Sequence, residues 1–389
     1  MIKAQVQAES EQAAAKLLIS QNLFPITIVN KETDNLRSRF KFLNRVRAKD
    51  KVIFTRELST LINAGLPLTK ALHTVQDQVE SATLQGVLVK VIAAVEGGST
   101  LSAAFSQHPA VFSEVYCSLV AAGEASGTLD ETLLRLANQQ EKDAAIVSKI
   151  RSALIYPIIV LLVIIAVVIF MLVTVLPQVG SLYHDLHKTL PFFTQMLLNL
   201  ATFITKFWWL NLVMVTGAGF GIANYLKTDK GRVLSDGIKL HTPVFNIIFK
   251  KVYMARFSRT LGTLLESGIP MLQALQVVRN AVDNRVLEKD IDESINLVRG
   301  GKALSSTLEG KESFLPLVPQ MIAIGEESGA MDTMLDKVAT FYEDEVDTEV
   351  KNLSTTIEPA LMVIMGVIVG LLIMAVLFPV YSLVNQGLT

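Results

Sequence analysis

The sequence is short of cysteine and of charge. Cys117 is the single cysteine among 389 residues, which excludes an intramolecular disulfide bond. Charged residues make up 18% of the chain, below the roughly 25% usual for globular proteins, and the formal net charge is −1. Without an overall basic field, the composition gives no indication of nucleic-acid binding. The mean hydropathy of +0.43 is high for a soluble protein.

The sequence also lacks the common catalytic motifs. Gly300-Gly-Lys302-Ala has neither the first glycine nor the hydroxyl residue of a phosphate-binding P-loop. No His-Glu-x-x-His motif is present, and the pair in His184-Asp-Leu-His187 offers too few ligands for a zinc site, so we interpret it as part of a solvated loop. We therefore predict no catalytic, cofactor-binding or metal-binding residues and no enzyme activity.

Three long stretches contain no charged residue: 152–183, 207–226 and 359–389. About 20 apolar residues suffice to cross the hydrocarbon core as a helix, so all three predict transmembrane helices. The middle stretch is the weakest, because glycines and Asn211 dilute it, and a buried core helix is its alternative. The absence of ionisable residues inside the stretches argues against a pump or a secondary transporter.

Basic residues predict the orientation of these spans. Lys149 and Arg151 precede the first span and Lys227 and Lys230 follow the second, whereas residues 178–205 between them contain only Lys188. We therefore expect the N-terminus and the segment between the second and third spans to face the cytoplasm. The loop between the first two spans and the C-terminus should face outside.

The chain contains an internal repeat. Ten of 22 residues from Phe54 to Val75 are identical to those 203 positions later, from Phe257 to Val278. The motif Gly-Glu-x-Ser-Gly begins at Gly123 and again 202 positions later. Pro157 in the first span has a counterpart at the same offset in the third. A nearly constant offset over more than 100 residues indicates a duplicated unit, which consists of a cytoplasmic module and the span that follows it.

Helical periodicity predicts that each module is a bundle of helices. A Gly-x-Pro turn ends the first helix of each module and starts the next. Thr128 followed by Glu131 predicts a capping box for the last helix, which should run into the membrane with a bend at Pro157. The motif positions to which we assign a structural role are Phe54, Arg56, Gly65, Pro67, Gly123, Glu124, Gly127, Pro157, Phe257, Arg259, Gly268, Pro270, Gly325, Glu326, Gly329 and Pro359.

Two charged features leave alternatives open. A lone glutamate after glycine, as in Glu124 and Glu326, could be a catalytic base, but its recurrence in both copies favours an architectural role. The acidic run Glu343, Asp344, Glu345, Asp347 and Glu349 predicts a solvated helix face. Its alternatives are a docking surface for a basic partner or a cation site at a subunit contact.

The predicted fold class is all-α, with two homologous cytoplasmic helical-bundle modules, three transmembrane helices and a small N-terminal α/β piece. The predicted boundaries are a small αβ piece 1–30, a basic linker 31–52, module 1 at 53–152, span 1 at 153–179, an external loop 180–206, span 2 at 207–226, a linker 227–254, module 2 at 255–355, span 3 at 356–380 and an external tail 381–389.

The paired motifs Phe-x-Arg-x-Leu-x-x-Leu-x-x-x-Gly-x-Pro and Gly-Glu-x-Ser-Gly, together with a proline-bounded span, resemble the type II secretion protein F / PilC family. The resemblance implies a non-enzymatic inner-membrane platform for a type IV pilus or a type II secretion pseudopilus, acting as a dimer or small homo-oligomer. The implied partners are a hexameric ATPase, pilin or pseudopilin subunits and other inner-membrane assembly proteins. The alternative is a membrane-anchored scaffold or transporter unrelated to filaments, and neighbouring ATPase and prepilin genes would separate the two.

Overall fold

The computed structural model of the protein describes residues 46–185, 192–226, 228–242 and 245–387, and within these ranges it contains helices and no strands. The all-α expectation is thereby confirmed for the part of the chain that is described. The predicted N-terminal αβ piece and most of the basic linker lie outside the described residues.

Six helices form module 1 and its exit into the membrane. They are α1 (Ala48–Asn63), α2 (Leu68–Gln78), α3 (Ala82–Glu96), α4 (Leu101–Ser106), α5 (Glu114–Ser126) and α6 (Leu129–Phe170). A π-helical stretch, Met171–Val175, joins α6 to α7 (Leu176–Asp185). Three helices then lead to module 2, namely α8 (Phe192–Lys206), α9 (Trp208–Tyr225) and α10 (Asp229–His241).

Module 2 repeats the order of module 1. Its helices are α11 (Phe245–Glu266), α12 (Met271–Ala281), α13 (Arg285–Arg299), α14 (Leu304–Leu308), α15 (Leu317–Ser328) and α16 (Met331–Gly387). Helices α12 and α13 begin 203 positions after α2 and α3, and α16 begins 202 positions after α6. The repeat seen in the sequence is therefore a repeat of structure, helix by helix.

The core of module 1 is built around four aromatic side chains. Phe54 on α1 and Phe105 on α4 are fully buried, and their rings meet edge to face with centroids 6.3 Å apart. Phe112 and Tyr116 complete the group, with the Phe105 and Phe112 centroids at 4.2 Å. The Tyr116 hydroxyl lies 3.3 Å from Thr55 Oγ1, and burial raises the pKa of Tyr116. Aromatic pairs of this kind dominate core energetics in small modules.

The hydrophobic core continues from one module into the other. One connected set of buried side chains includes Leu58 and Leu119 of module 1 as well as Leu261 and Ile322 of module 2. A second, smaller set lies nearer the membrane, where Ile146 of α6 packs with Val346 and Val350 of α16 and with two residues of α11. The two modules therefore share one hydrophobic core and are not separate domains joined by a linker.

Three parts of the described chain are candidates for membrane spans. The helices Leu129–Asp185 and Met331–Leu377 are long and apolar enough to span a membrane. The third candidate is a bent pair, Thr194–Lys206 with Trp208–Tyr225, whose halves meet at 79°. By length and composition, the described residues therefore contain two helices that could span a membrane, or three spans if the pair is one span. Most apolar side chains of these helices are exposed, as expected for surfaces that face lipid.

The predicted external loop 180–206 is largely helical, so this prediction was wrong. Helix α7 continues to Asp185, and α8 occupies residues 192–206. The apolar positions Leu197, Leu198, Ala201 and Ile204 of α8 recur at helical spacing and pack against Leu172, Leu176 and Ala375 of the two spans. Burial of this stripe against two neighbouring helices stabilises α8 where a solvated loop was expected.

Of two further local predictions, one was wrong and one is confirmed. Thr128 does precede α6, but its hydroxyl caps no backbone amide and instead lies 2.7 Å from Ser126 Oγ, so the predicted capping box is absent. The helices α6 and α16 continue through Pro157 and Pro359, as predicted for the last helix of each module. Membrane helices tolerate proline because neighbouring helices and side chains satisfy the backbone groups that proline leaves without a partner.

We predict that Phe105→Ala lowers the stability of the full-length protein by about 3–5 kcal/mol, because it leaves a cavity among three other rings. Thermal unfolding of the detergent-solubilised chain would measure this as a lower Tm. The matched control is Val89→Ala on α3, whose side chain is 51% exposed and should change stability by no more than about 0.5 kcal/mol. Equal Tm values for the two variants would contradict the central role of the aromatic group.

Candidate functional site

The arginine of the first repeated motif ties the first helix of each module to the last. Arg56 on α1 donates from Nε to Glu141 Oε1 at 2.6 Å and from Nη2 to Oε2 at 2.5 Å, and also reaches Asn138 on the same helix. Arg259 on α11 makes the equivalent bond to Glu343 Oε1 at 2.9 Å. Guanidinium is the group suited to this two-pronged recognition of a carboxylate.

The arginine of module 2 is the more buried of the pair. The Arg259 side chain is 12% exposed and that of Arg56 33%. Arg259 also pairs with Asp336 and donates to Thr340 Oγ1 at 3.1 Å, so it contacts α16 over two turns. Because α16 continues into the apolar stretch that is long enough to span a membrane, this arginine joins module 2 to its own span.

The repeated glutamate caps a short helix. The carboxylate of Glu124 accepts hydrogen bonds from the backbone N–H groups of Leu101 and Ser102, at 2.5 and 3.0 Å, and from the Ser102 hydroxyl at 2.5 Å. These amides are the unpaired donors at the first turn of α4. A carboxylate there satisfies them and interacts favourably with the helix dipole.

The second copy repeats this arrangement. Glu326 accepts from the N–H groups of Leu304 and Ser305, at 2.6 and 3.4 Å, and from the Ser305 hydroxyl at 2.5 Å. Both oxygens of each glutamate are thereby engaged by the start of the short helix. The geometry supports the architectural interpretation of the motif over that of a catalytic base.

The two glycines of Gly-Glu-x-Ser-Gly serve different purposes. A Cβ on Gly123 would lie 2.7 Å from Thr132 Oγ1, and one on Gly325 would lie 2.9 Å from the Met331 Cα, so both positions allow α5 and α15 to touch the helix that follows. Gly127 has a φ of +75°, the left-handed conformation that ends α5 and reverses the chain. Gly329 does the same for α15, with a φ of +71°.

The Gly-x-Pro turns match their prediction as well. Gly65 and Gly268 adopt φ values of +82° and +80°. Pro67 and Pro270 then occupy the positions before α2 and α12. The Phe54 and Phe257 rings of the same motif are fully buried. The motif thus supplies a buried phenylalanine, an arginine that pairs with the last helix, and the tight turn that ends the first helix.

The acidic run on α16 is not the solvated face that was expected. Glu343 pairs with Arg259 and, at 3.1 Å, with Lys142 of module 1. Glu345 and Glu349 both bind Lys251, each at 2.7 Å, and Asp347 pairs with Lys149. Sequence reasoning missed these partners because the lysines come from α6 and α11, which only the fold brings alongside α16.

A carboxylic acid of module 1 sits at the same joint. Asp143 on α6 lies near the guanidinium groups of Arg256 and Arg259 and near the Glu343 carboxylate. Partial burial raises the pKa of Asp143, and Glu343 raises it further, while the two arginines oppose the shift. The joint therefore combines charges of both signs from both modules, held in place by the parallel helices α6 and α16.

Other predicted positions take no part in a site. His184 lies near the end of α7, and His187 is outside the described residues. Among the residues that the structure describes, no group of three or more histidine, cysteine, aspartate or glutamate side chains is positioned to hold a metal ion. Cys117 is half-buried on α5, and burial raises the pKa of its thiol.

These features define a duplicated helical module whose polar motifs connect helices to one another and to two membrane helices. A profile of the family described as Type II secretion system (T2SS), protein F matches the chain twice, over residues 54–177 and 257–379. Each match covers one module and the span that follows it. The chain belongs to the type II secretion system protein F family.

Relatives named for type IV pilus assembly and for type II secretion are similar to nearly the whole chain. The type IV pilus assembly protein PilC of Myxococcus xanthus (strain DK1622) is 37% identical over 98% of this chain and 91% of its own length. The PilC protein of Thermus thermophilus is also 37% identical, over 99% of this chain and 95% of its own. The type II secretion system protein F of Xanthomonas campestris pv. campestris is 35% identical over 99% and 96%.

We predict that Gly123→Ala destabilises the protein by about 1–3 kcal/mol, because the new methyl group meets Thr132 and forces α5 away from α6. The measurement is the Tm of the solubilised full-length chain. The matched control is Gly86→Ala on α3, where nothing lies within 4 Å of the added methyl group, and this change should instead stabilise the helix by about 0.5–1 kcal/mol. The same sign for both variants would contradict a close approach at Gly123.

We predict that the Arg56–Glu141 pair makes a pH-dependent contribution to the stability of the folded protein. The hydrogen bonds that the Glu141 carboxylate accepts from Arg56 lower the pKa of Glu141 below its ordinary value. The stabilisation is therefore fully present above the unfolded-state pKa of about 4.3 and is lost as the pH falls through the lower folded-state pKa.

The test is Glu141→Gln, with the exposed Glu80→Gln as control. The Tm difference between wild type and Glu141→Gln should be largest above about pH 5 and should shrink as the pH falls below about 4. A difference that stays constant across this range, or an equal difference for the Glu80 variant, would show that the pair does not contribute in this way.

Proposed function

We propose that the protein is the inner-membrane platform of a type IV filament machine, serving a type IV pilus or a type II secretion pseudopilus. It couples a cytoplasmic ATPase to the polymerisation of pilin or pseudopilin subunits and is not itself an enzyme. The observation that carries this proposal is the likeness, over nearly the whole chain, to proteins named for type IV pilus assembly and for type II secretion.

The helix arrangement supports a mechanical role. Helix α6 has 42 residues and begins in module 1, and α16 has 57 and begins in module 2. At 1.5 Å per residue, each is a rod of more than about 60 Å that extends from the cytoplasmic body through the lipid. A push or rotation applied to a module is therefore transmitted to the membrane without an intervening hinge loop.

The ionic ties favour motion of the body as one piece. Arg259 holds α11 to α16, and Arg56 holds α1 to α6. Lys142 and Lys149 of α6 pair with Glu343 and Asp347 of α16. Several tied charges at one joint resist separation better than an isolated surface pair, which is worth little. We assign the sixteen motif positions this structural role.

In this proposal the N-terminus and both modules, at about residues 53–152 and 255–355, face the cytoplasm. The segment between α7 and α8 and the C-terminal tail face outside, in agreement with the distribution of lysine and arginine. The modules contact a hexameric secretion or pilus ATPase. The spans contact pilin or pseudopilin subunits and other inner-membrane assembly proteins, and the platform is a dimer or small oligomer.

We predict that insertion of Gly-Ser-Gly-Ser between Leu154 and Ile155 abolishes filament assembly in a strain in which the gene is deleted and replaced by the variant. The insertion breaks the continuous helix where module 1 meets the membrane, so motion of the module no longer reaches the span. The measurements are the amount of assembled filament and recovery of the ATPase with the solubilised platform protein.

The matched control is an insertion of four alanines at the same point, which lengthens the helix by about one turn and keeps it rigid. We expect this variant to retain substantially more filament, and both variants to recover the ATPase. Normal filament levels with the flexible insertion would refute rigid coupling. Normal filament levels in the deletion strain itself would refute the platform function.

A further inference from the structure

Helix α10 begins directly at the end of the apolar helix α9. Thr228 precedes α10, and its Oγ1 accepts from the Gly231 N–H at 3.2 Å and donates to the carbonyl of Tyr225, the last residue of α9, at 2.6 Å. A Cβ on Gly231 would collide with the same carbonyl oxygen, so the two helix ends touch at a tight corner. The start of α10 therefore lies at the edge of the uncharged stretch 207–226.

The other end of α10 is held near an apolar stretch as well. The Asn246 N–H, in the first turn of α11, donates to the carbonyl of Thr242, directly after α10, at 2.9 Å. Ile248, two residues farther along, packs with Val350 of α16. Val350 lies nine residues, or about 14 Å of helix, before Pro359, where the uncharged stretch begins. A helix about 20 Å long that joins these two points runs along the membrane surface rather than away from it.

One face of α10 is fixed on module 2. Asp236 is buried, and its Oδ2 accepts from the N–H of Arg285, the first residue of α13, at 3.2 Å. Leu240 is buried too and belongs to the hydrophobic core that the two modules share. Residues four apart lie on the same side of a helix, so Asp236 and Leu240 together define the face of α10 that module 2 covers.

The opposite face of α10 is apolar and uncovered. Leu234 and Ile238, again four residues apart, are 53% and 55% exposed. At 3.6 residues per turn their direction differs from that of Asp236 and Leu240 by about 160°, so they point away from module 2. Val233 is exposed as well. A helix on the surface of a soluble body carries polar residues on its outer face, and apolar residues there indicate a second apolar environment.

The segment that contains α10 is basic. The sequence from 227 to 241 has four lysine or arginine residues and two aspartates, and one of these, Asp236, is buried against module 2. By contrast, α13, on which α10 packs, has three basic and four acidic residues. The excess of positive charge is therefore local to the helix beside the membrane. Helices that combine an exposed apolar face with lysine and arginine bind the surface of anionic membranes.

We propose that α10 is an interfacial helix that binds anionic phospholipids. Leu234 and Ile238 enter the boundary between headgroups and acyl chains, and the basic segment attracts the phosphate groups around them. Because Asp236 and Leu240 fix α10 on module 2, the bound lipid holds module 2 at a set distance from the bilayer. This inference rests on the membrane location in the proposed function and not on filament assembly.

The test is fluorescence quenching of the full-length chain in lipid nanodiscs, in a Cys117→Ser background. The variant Ile238→Cys carries an environment-sensitive fluorophore, and the discs contain phosphatidylcholine mixed with phosphatidylglycerol. We expect strong quenching by a lipid that carries a nitroxide group near its headgroup, and weak quenching by iodide dissolved in the water, because the label replaces a side chain that lies in the lipid boundary.

The matched control is the same label in the variant Ile324→Cys. Ile324 is another isoleucine of module 2 and is 49% exposed. It lies on α15 beside Gly325, which packs against Met331 at the start of α16. Met331 is 28 residues, or about 42 Å of helix, before Pro359. We therefore expect iodide to quench this label and the nitroxide lipid to leave it unquenched.

The requirement for anionic lipid is tested in two ways, by omitting phosphatidylglycerol and by removing basic residues from the chain labelled at position 238. The charge-removal variant combines Lys230→Gln, Arg232→Gln and Lys239→Gln. Either change should lower quenching by the nitroxide lipid by about threefold or more, because lysine and arginine near a bilayer strengthen binding to anionic headgroups. A control variant removes the same charge at three exposed lysines of the modules and should leave the quenching unchanged. It combines Lys70→Gln, Lys90→Gln and Lys302→Gln.

Equal quenching of the two labels by iodide, with none by the nitroxide lipid, would place α10 in water and overturn the proposal. Protection of the label at position 238 from both quenchers would mean that protein covers this face, which overturns it as well. Strong quenching by the nitroxide lipid that is the same without phosphatidylglycerol would overturn the binding of anionic lipid. Because these readouts do not involve filaments, they are independent of a failure of filament assembly.

Discussion

In each module an arginine on the first helix forms an ion pair with a glutamate on the last helix. The attachment of each module to its span depends on this pair. Arg56 and Arg259 each bind a glutamate about 85 residues later in the sequence, so they close the module at the point where its last helix departs for the membrane. Without that closure, α6 and α16 would be long rods attached to their modules by packing alone. With it, the module and the span are one mechanical unit.

The duplicated units are equal in design but not in environment. Both copies use a glutamate to cap a short helix, both use glycine to bring two helices together, and both use a Gly-x-Pro turn. Yet Arg259 is more buried than Arg56, and Gln139 is buried where Phe341 is exposed. Packing one copy against the other gives equivalent positions different neighbours, which accounts for these differences.

The predictions from sequence succeeded where the signal is local. Gly65 and its counterpart Gly268 adopt positive φ as expected, because glycine does so without strain. The architectural interpretation of Glu124 agrees with its bonds to α4, although its exact target was not foreseen, since the amides lie 22 and 23 positions earlier. Matching motifs in two copies allowed a structural role to be separated from a catalytic one.

The errors in prediction have a common cause in partners distant along the chain. Residues 192–206 were expected to be a loop, but two spans provide an apolar surface on which α8 folds. The acidic run from Glu343 to Glu349 was expected to be solvated, but lysines and an arginine from other helices pair with most of it. Thr128 was expected to cap α6, but its hydroxyl lies beside Ser126 instead.

By itself, the sequence determined the duplication, the helical character of both modules, the long apolar spans and the turn positions. These properties depend on backbone preferences and on the cost of moving charge into lipid, which act over a few residues or one helix. Tertiary structure alone decided which helix faces meet and which carboxylates are paired. Those outcomes depend on which distant helices come together, because a charge or an apolar side chain is stabilised only by its actual neighbours.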